Sequence, residues 1–157
     1  MRTKKLLVLV STLIGLSACG SSGGQAFSVG PGSSPDPQTA TGSAGGMTDA
    51  SSLSGDCRGW IASSPNHVLT VTGAMPMLRV AANGGSADIT LVVQRPDGTY
   101  LCNDDSDGLN PMVEGAFVPG EYKIFIGSYD AQSAGSAYRV GISAQQTMTP
   151  TSLGAPS

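Results

Sequence analysis

"ADITLVVQRPDGTYLCNDDSD" occupies residues 87–107. Its first eight residues are rich in Val, Ile and Thr, side chains that pack well on a pleated surface. RPDG (95–98) interrupts them with two residues that favour turns. TYLC (99–102) resumes the β-type composition, and the polar run NDDSD ends it. The pattern is strand, turn, strand, polar loop.

The same grammar extends in both directions. HVLTVTG (67–73) places Val68, Thr70 and Thr72 on one face and Leu69 and Val71 on the other. MLRVAA (77–82) follows Pro76. In EYKIFIGSY (121–129), Tyr122, Ile124 and Ile126 share one face, while Glu121, Lys123 and Phe125 share the opposite one. AYRVGIS (137–143) closes the series. NGG, VPGEY and DAQSAGS separate these runs. Period-two alternation with Gly and Pro turns, and no sustained 3.6-residue apolar stripe, predicts an all-β protein: a small antiparallel β-sandwich. CRGWIAS (57–63) is short enough for one helical turn or a first strand. The sandwich is expected over residues 56–144.

Residues 20–55 are mostly Gly, Ser, Ala, Pro and Thr. Few side chains there promise burial, so ordering their backbone would go uncompensated. Residues 19–55 are therefore expected to be a tether, about 30–35 Å in root-mean-square reach. Residues 145–157 read as a similarly loose tail.

Residues 1–18 have the build of an export signal: a positive start, MRTKK, then the apolar run LLVLVSTLIGL, too short for a comfortable membrane span. LSAC (16–19) resembles the lipobox of bacterial lipoproteins. That resemblance implies cleavage before Cys19 and acylation at Cys19, with palmitate-type chains. At about 0.8 kcal/mol per buried methylene, two or three chains make a stable anchor. By the same resemblance, Gly20 after the cysteine implies the outer membrane. Cys57 and Cys102 then remain as an even pair in an exported chain, and they are expected to form one disulfide. A loop of about 45 residues closed in this way is worth roughly 4 kcal/mol in the chain-entropy picture.

Arg2, Lys4 and Lys5 leave with the signal. Five basic residues (Arg58, Arg79, Arg95, Lys123, Arg139) then face eleven acids, a net charge of about −6. Such a surface does not suit nucleic acid, which needs a basic footprint. The membrane contact expected is the lipid anchor, with an unidentified protein or glycan as partner.

No catalytic residue is assigned. His67 is the one histidine, no G-x-S-x-G occurs, and no acid is placed by sequence to orient the imidazole. His67 is expected to be a partly exposed strand residue, and Trp60 to pack near the disulfide. The loop after Cys102 carries the strongest ligand signal. Against the spacing D-x-[DN]-x-[DN]-G-x5-E it supplies Asn103, Asp105, Asp107, Gly108 and Glu114. Alternate side chains of a tight loop converge on one point, and hard oxygen ligands suit Ca2+. Asn103, Asp105, Asp107 and Glu114 are thus candidate calcium ligands, with an affinity expected at about 10⁻⁴–10⁻³ M. The alternative is a solvated turn of Asn, Asp, Ser and Gly.

Asp88, PDG (96–98), CNDDSD (102–107), PGEYKIFI (119–126) and YRVGI (138–142) resemble, in order, landmarks of the bacterial pre-peptidase C-terminal domain. ADITLVV lacks the second aspartate that the family commonly carries, and the cysteine pair is an addition. The resemblance implies a jelly-roll-like β-sandwich that accompanies secreted proteases without cutting peptides. The expectation is a non-enzymatic, lipid-anchored envelope module for binding, adhesion or stabilisation, with Ca2+ as its one candidate cofactor. The alternatives are an accessory subunit of a secreted protease and a small envelope hydrolase.

Overall fold

β10 (Gly120–Ser128) is the strand around which one sheet is assembled. Its alternation sends Tyr122, Ile124 and Ile126 into the core. Along one edge it pairs antiparallel with β7 (Ile89–Gln94), from Lys123↔Gln94 to Ser128↔Ile89. Along the other it pairs first with β5 (His67–Val71), then at Ser128 with β4 (Trp60–Ile61). β8 (Tyr100–Asn103) flanks β7 antiparallel. β1 (Ala26–Val29) flanks β5 in parallel, and β3 (Thr48–Asp49) flanks β4. The second sheet has the order β2 (Gln38–Ser43), β11 (Ala137–Ser143), β6 (Met75–Asn83), β9 (Met112–Phe117). This computed structural model describes residues 24–157. Cys19, the signal segment and the lipobox lie outside the described residues.

The fold is the expected all-β sandwich with one disulfide, Cys57–Cys102. RPDG makes the turn of the β7–β8 hairpin. Gly98 N–H donates to the Arg95 carbonyl at 2.9 Å, and Asp97 Oδ1 accepts from Thr99 N–H at 2.9 Å. Gly98 sits at φ +85°, a conformation that favours glycine. Between the sheets lie Leu69, Leu78, Val80, Ile89, Leu91, Val93, Val140 and Ile142, all buried. Each such aliphatic side chain stabilises the fold by about 1.5–3 kcal/mol.

Part of each outer face is also covered, and here the structure departs from the expected boundaries. β1, β2 and β3 lie inside the stretch read as a tether, so the sandwich includes residues from Ala26 onward. The connection from β3 to β4, residues 50–59, lies over the outer face of the first sheet. Ala50, Cys57 and Ile61 pack there on Val92 and Phe125, with Leu53, Tyr100 and Cys102 alongside. The disulfide staples this cover to β8. On the second sheet, Met148 and Leu153 of the tail pack on Ala81, with Met112 beside them. The tail contains a 3-10 turn, Thr151–Leu153. The composition misleads because strand pairing, rather than many apolar side chains, orders these segments. β1 hydrogen-bonds to β5 and β2 to β11, and small residues such as Ala40, Ala44 and Ala50 become buried at little side-chain entropy cost.

Candidate functional site

The loop after β8 closes early. Asp107 and Asn110 form an isolated bridge: Asp107 N–H donates to the Asn110 carbonyl at 3.1 Å, and Asn110 N–H donates back at 3.3 Å. Gly108, at φ +63°, forms the tip. Asn110 Oδ1 accepts from Gly84 N–H at 2.8 Å, which ties the loop to the β6–β7 connection. Asn103 Oδ1 accepts from Met112 N–H at 3.0 Å. Asp107 Oδ2 accepts from Thr151 N–H in the tail at 3.1 Å, and the hydrogen bonds from Thr151 hold its carboxyl below the usual carboxylate range.

The candidate calcium ligands are therefore not one cage. Pro111 and the closing bridge end the loop, β9 begins at Met112, and strand alternation carries Glu114 to the outer face of the second sheet. There it meets Arg79, with Nε to Oε2 at 2.8 Å and Nη2 to Oε2 at 2.7 Å. Asn103 and Asp107 hold backbone N–H groups, and Asp105 stays at the loop's acidic side. Among the described residues, no group of three or more His, Cys, Asp or Glu side chains is arranged to hold a metal ion.

A different set of carboxylates gathers at the same end of the sandwich. The register Ser128↔Ile89 places Asp88 beside the segment that follows β10. Tyr129 N–H donates to the Asp88 carbonyl at 2.9 Å, Asp88 N–H to Ser133 Oγ at 3.0 Å, and Ser133 N–H to Asp130 Oδ1 at 2.9 Å. Asp104 and Asp105 approach from the β8–β9 loop. Partial burial, then the charges of Asp105, Asp130 and Asp104, raises the Asp88 carboxyl above its ordinary value. Asp88 Oδ1 is buried without a hydrogen-bond partner. Among the described residues, the one ion pair is Arg79–Glu114, so none of these four carboxylates has an arginine or lysine within ion-pair distance. Asp130 and the role of Asp88 escaped the sequence reading, because their proximity comes from strand register rather than from spacing.

His67 is buried, 2% exposed, not partly exposed as its strand position suggested. Its Nδ1 lies 3.1 Å from the Gln25 carbonyl and its Nε2 2.7 Å from the Tyr138 hydroxyl. A carbonyl only accepts, so Nδ1 carries the proton, and Nε2 accepts from Tyr138. Burial lowers the imidazole pKa, partly offset by the Gln25 carbonyl, and raises that of Tyr138 to about 12. The depression over this pair, about 510 Å³, is lined by Thr41, Ser43, Ser64, Asn66 and neighbours without a carboxylate. Trp60 is 46% exposed at the end of β4 rather than packed in the core beside the disulfide.

No protein-family model matches the chain, and no curated protein matches it. Among solved structures, the chain is similar to the pre-peptidase C-terminal domain of a collagenase from Bacillus anthracis. The identity is 18%, the TM-score 0.46, and the match covers 76% of this chain and 95% of that one. It is also similar to a periplasmic inhibitor of g-type lysozyme from Aeromonas hydrophila, at 16% identity and a TM-score of 0.38, covering 76% and 96%.

Proposed function

We propose that this chain is a non-enzymatic, lipid-anchored module of the bacterial outer membrane that binds a partner through its acidic end. The observation that carries this reading is the convergence of Asp88, Asp104, Asp105 and Asp130, none of them in an ion pair. Like charges held together favour a cationic group on the partner, and they speed its encounter at low ionic strength. The disulfide-stapled segment over the first sheet ties β8, which leads into the acidic loop, to the rest of the sandwich. The hydrolase alternative fares less well, because both nitrogens of His67 are engaged by Gln25 and Tyr138.

A second reading, calcium stabilisation, rests on the partnerless Asp88 Oδ1. It requires the surrounding carboxylates to draw closer than they lie here. Crosslinked pull-down from intact cells tests the first reading. The native chain should capture a partner that is lost with added salt and lost in an Asp104→Asn/Asp105→Asn variant. A partner retained equally by both chains overturns it. Melting scans in millimolar Ca2+ and in chelator test the second; identical midpoints overturn that one.

A further inference from the structure

The end of the sandwich opposite the acidic loops opens between the two sheets. There β1 ends, β6 begins and β11 ends, and the segment between β1 and β2 caps the gap. The result is a slot of about 70 Å³. Its floor is core: Val29, Met75, Leu78 and Ile142, exposed by 5%, 7%, 1% and 1%. Its lip carries Asp36. The Asp36 carboxylate is held in place, since Oδ1 accepts from the Ser143 hydroxyl. Ser143 is itself 1% exposed and accepts from Gln145 N–H at 2.9 Å, and Gln145 Nε2 donates to the Asp36 carbonyl at 2.8 Å. Asp36 has no ion-pair partner among the described residues.

We propose that this slot receives a lysine side chain of a protein partner, with its methylenes on the apolar floor and its ammonium on Asp36. A carboxylate only accepts and an ammonium only donates, so the lip matches a primary ammonium in charge and in hydrogen bonding. The alkyl stem of lysine suits an apolar floor with its charged head at the rim. The volume is about half of a ~150 Å³ cavity that admits benzene, which favours an unbranched chain over a ring. The slot lies away from the acidic end, so this inference stands or falls independently of the function proposed above.

Nα-acetyl-lysinamide, n-butylamine and n-butanol serve as probes, read by NMR shifts of the Leu78 and Ile142 methyl groups in the purified protein at pH 7. Both amines should shift these methyls and bind about tenfold tighter than butanol, as a charge-assisted hydrogen bond predicts. Asp36→Asn should erase that advantage while leaving the fold intact, because an amide oxygen still accepts from Ser143. Val29→Leu, which fills the floor, should weaken all three probes. Equal binding of amine and alcohol, or amine binding unchanged in Asp36→Asn, overturns the ammonium assignment. Butylamine binding without lysinamide binding overturns the lysine source.

Discussion

The Arg79 guanidinium meets the Glu114 carboxylate at 2.7 Å across β6 and β9, and it also donates to the tail. Its Nη1 reaches the carbonyls of Gln146 and, at 2.8 Å, Met148. Arg139 Nη1 donates to the Leu153 carbonyl at 3.1 Å, and Asn83 Nδ2 to the Pro150 carbonyl at 3.0 Å. Side chains of the second sheet thus replace the ladder partners that the tail lacks. Arg79→Ala should cost about 1–3 kcal/mol, because it removes charge-assisted bonds to two carbonyls. Glu114→Gln should cost under about 1 kcal/mol, since Glu114 is 46% exposed and leaves those carbonyl contacts in place. Limited proteolysis of residues 145–157, with urea midpoints alongside, checks both. Equal proteolysis of the two variants would contradict the ranking.

Asp88 offers an electrostatic test of the acidic end. Its carboxyl is raised chiefly by burial, then by Asp105, Asp130 and Asp104. A raised carboxylate pKa means that the folded state resists the charged form. The penalty is complete above the folded pKa and vanishes below the ordinary value of 3.8. Asp88→Asn should therefore stabilise the protein at pH 7, and the gain should shrink as the pH falls towards 4. Added salt should reduce the gain too, through screening of the neighbouring charges. Urea midpoints of both chains at pH 7 and pH 4, with and without salt, provide the check.

The inner core was legible because strand alternation is written residue by residue. Tyr122, Ile124, Ile126, Leu69 and Val71 face inward as their period-two pattern indicates. The covers were less legible, yet one signal was present. Leu91–Val93 is an unbroken apolar run, and with Ile89 and Thr90 all five residues are buried. Uninterrupted runs belong to strands packed on both faces, so something had to lie over Val92. Gly and Ser in residues 20–55 masked what that was. The acidic end was hidden for another reason. Asp88, Asp105 and Asp130 belong to three separate connections, and the pairing of β7 with β10 on one side and with β8 on the other brings them to one end. The spacing that linked Asn103 to Glu114 could not show the Asp107–Asn110 bridge, which closes the loop early and leaves Glu114 on β9 to meet Arg79.

His67 should give the fold a pH dependence of its own. The imidazole pKa is lowered from 6.5, first by burial. The neutral ring is the form that the fold accepts, with Nδ1–H on Gln25 and Nε2 receiving Tyr138. Its contribution is present above the unfolded pKa near 6.5. It declines as the pH falls from there to the lower folded value, where the loss levels off. Urea midpoints should fall between pH 7.5 and pH 5.5 in the native chain. His67→Gln should flatten that fall, though it lowers stability at both pH values by disturbing buried hydrogen bonds. An NMR titration placing the folded pKa above 6.5 would refute this reading.

Gly46 and Gly141 both sit under close contacts, but of different kinds. A Cβ on Gly46 would lie 2.1 Å from the carbonyl carbon and oxygen of Ile61 and 2.2 Å from Ala62 N. These are backbone atoms next to the Thr48↔Ile61 pair, so relief requires shifting β4 away from β3. A Cβ on Gly141 would lie 2.4 Å from Leu153 Cδ2 and 3.2 Å from the Met148 sulfur. Those are side-chain ends on the tail, which can rotate or lift. Gly46→Ala should therefore cost more than about 3 kcal/mol, in the range of severe steric substitutions. Gly141→Ala should cost about 1–3 kcal/mol, as modest overpacking does, and it should speed cleavage of residues 145–157. Thermal midpoints give the ranking, and protease mapping separates the two mechanisms. A Gly141→Ala chain that unfolds as readily as Gly46→Ala would show that the tail is as rigid a partner as a strand.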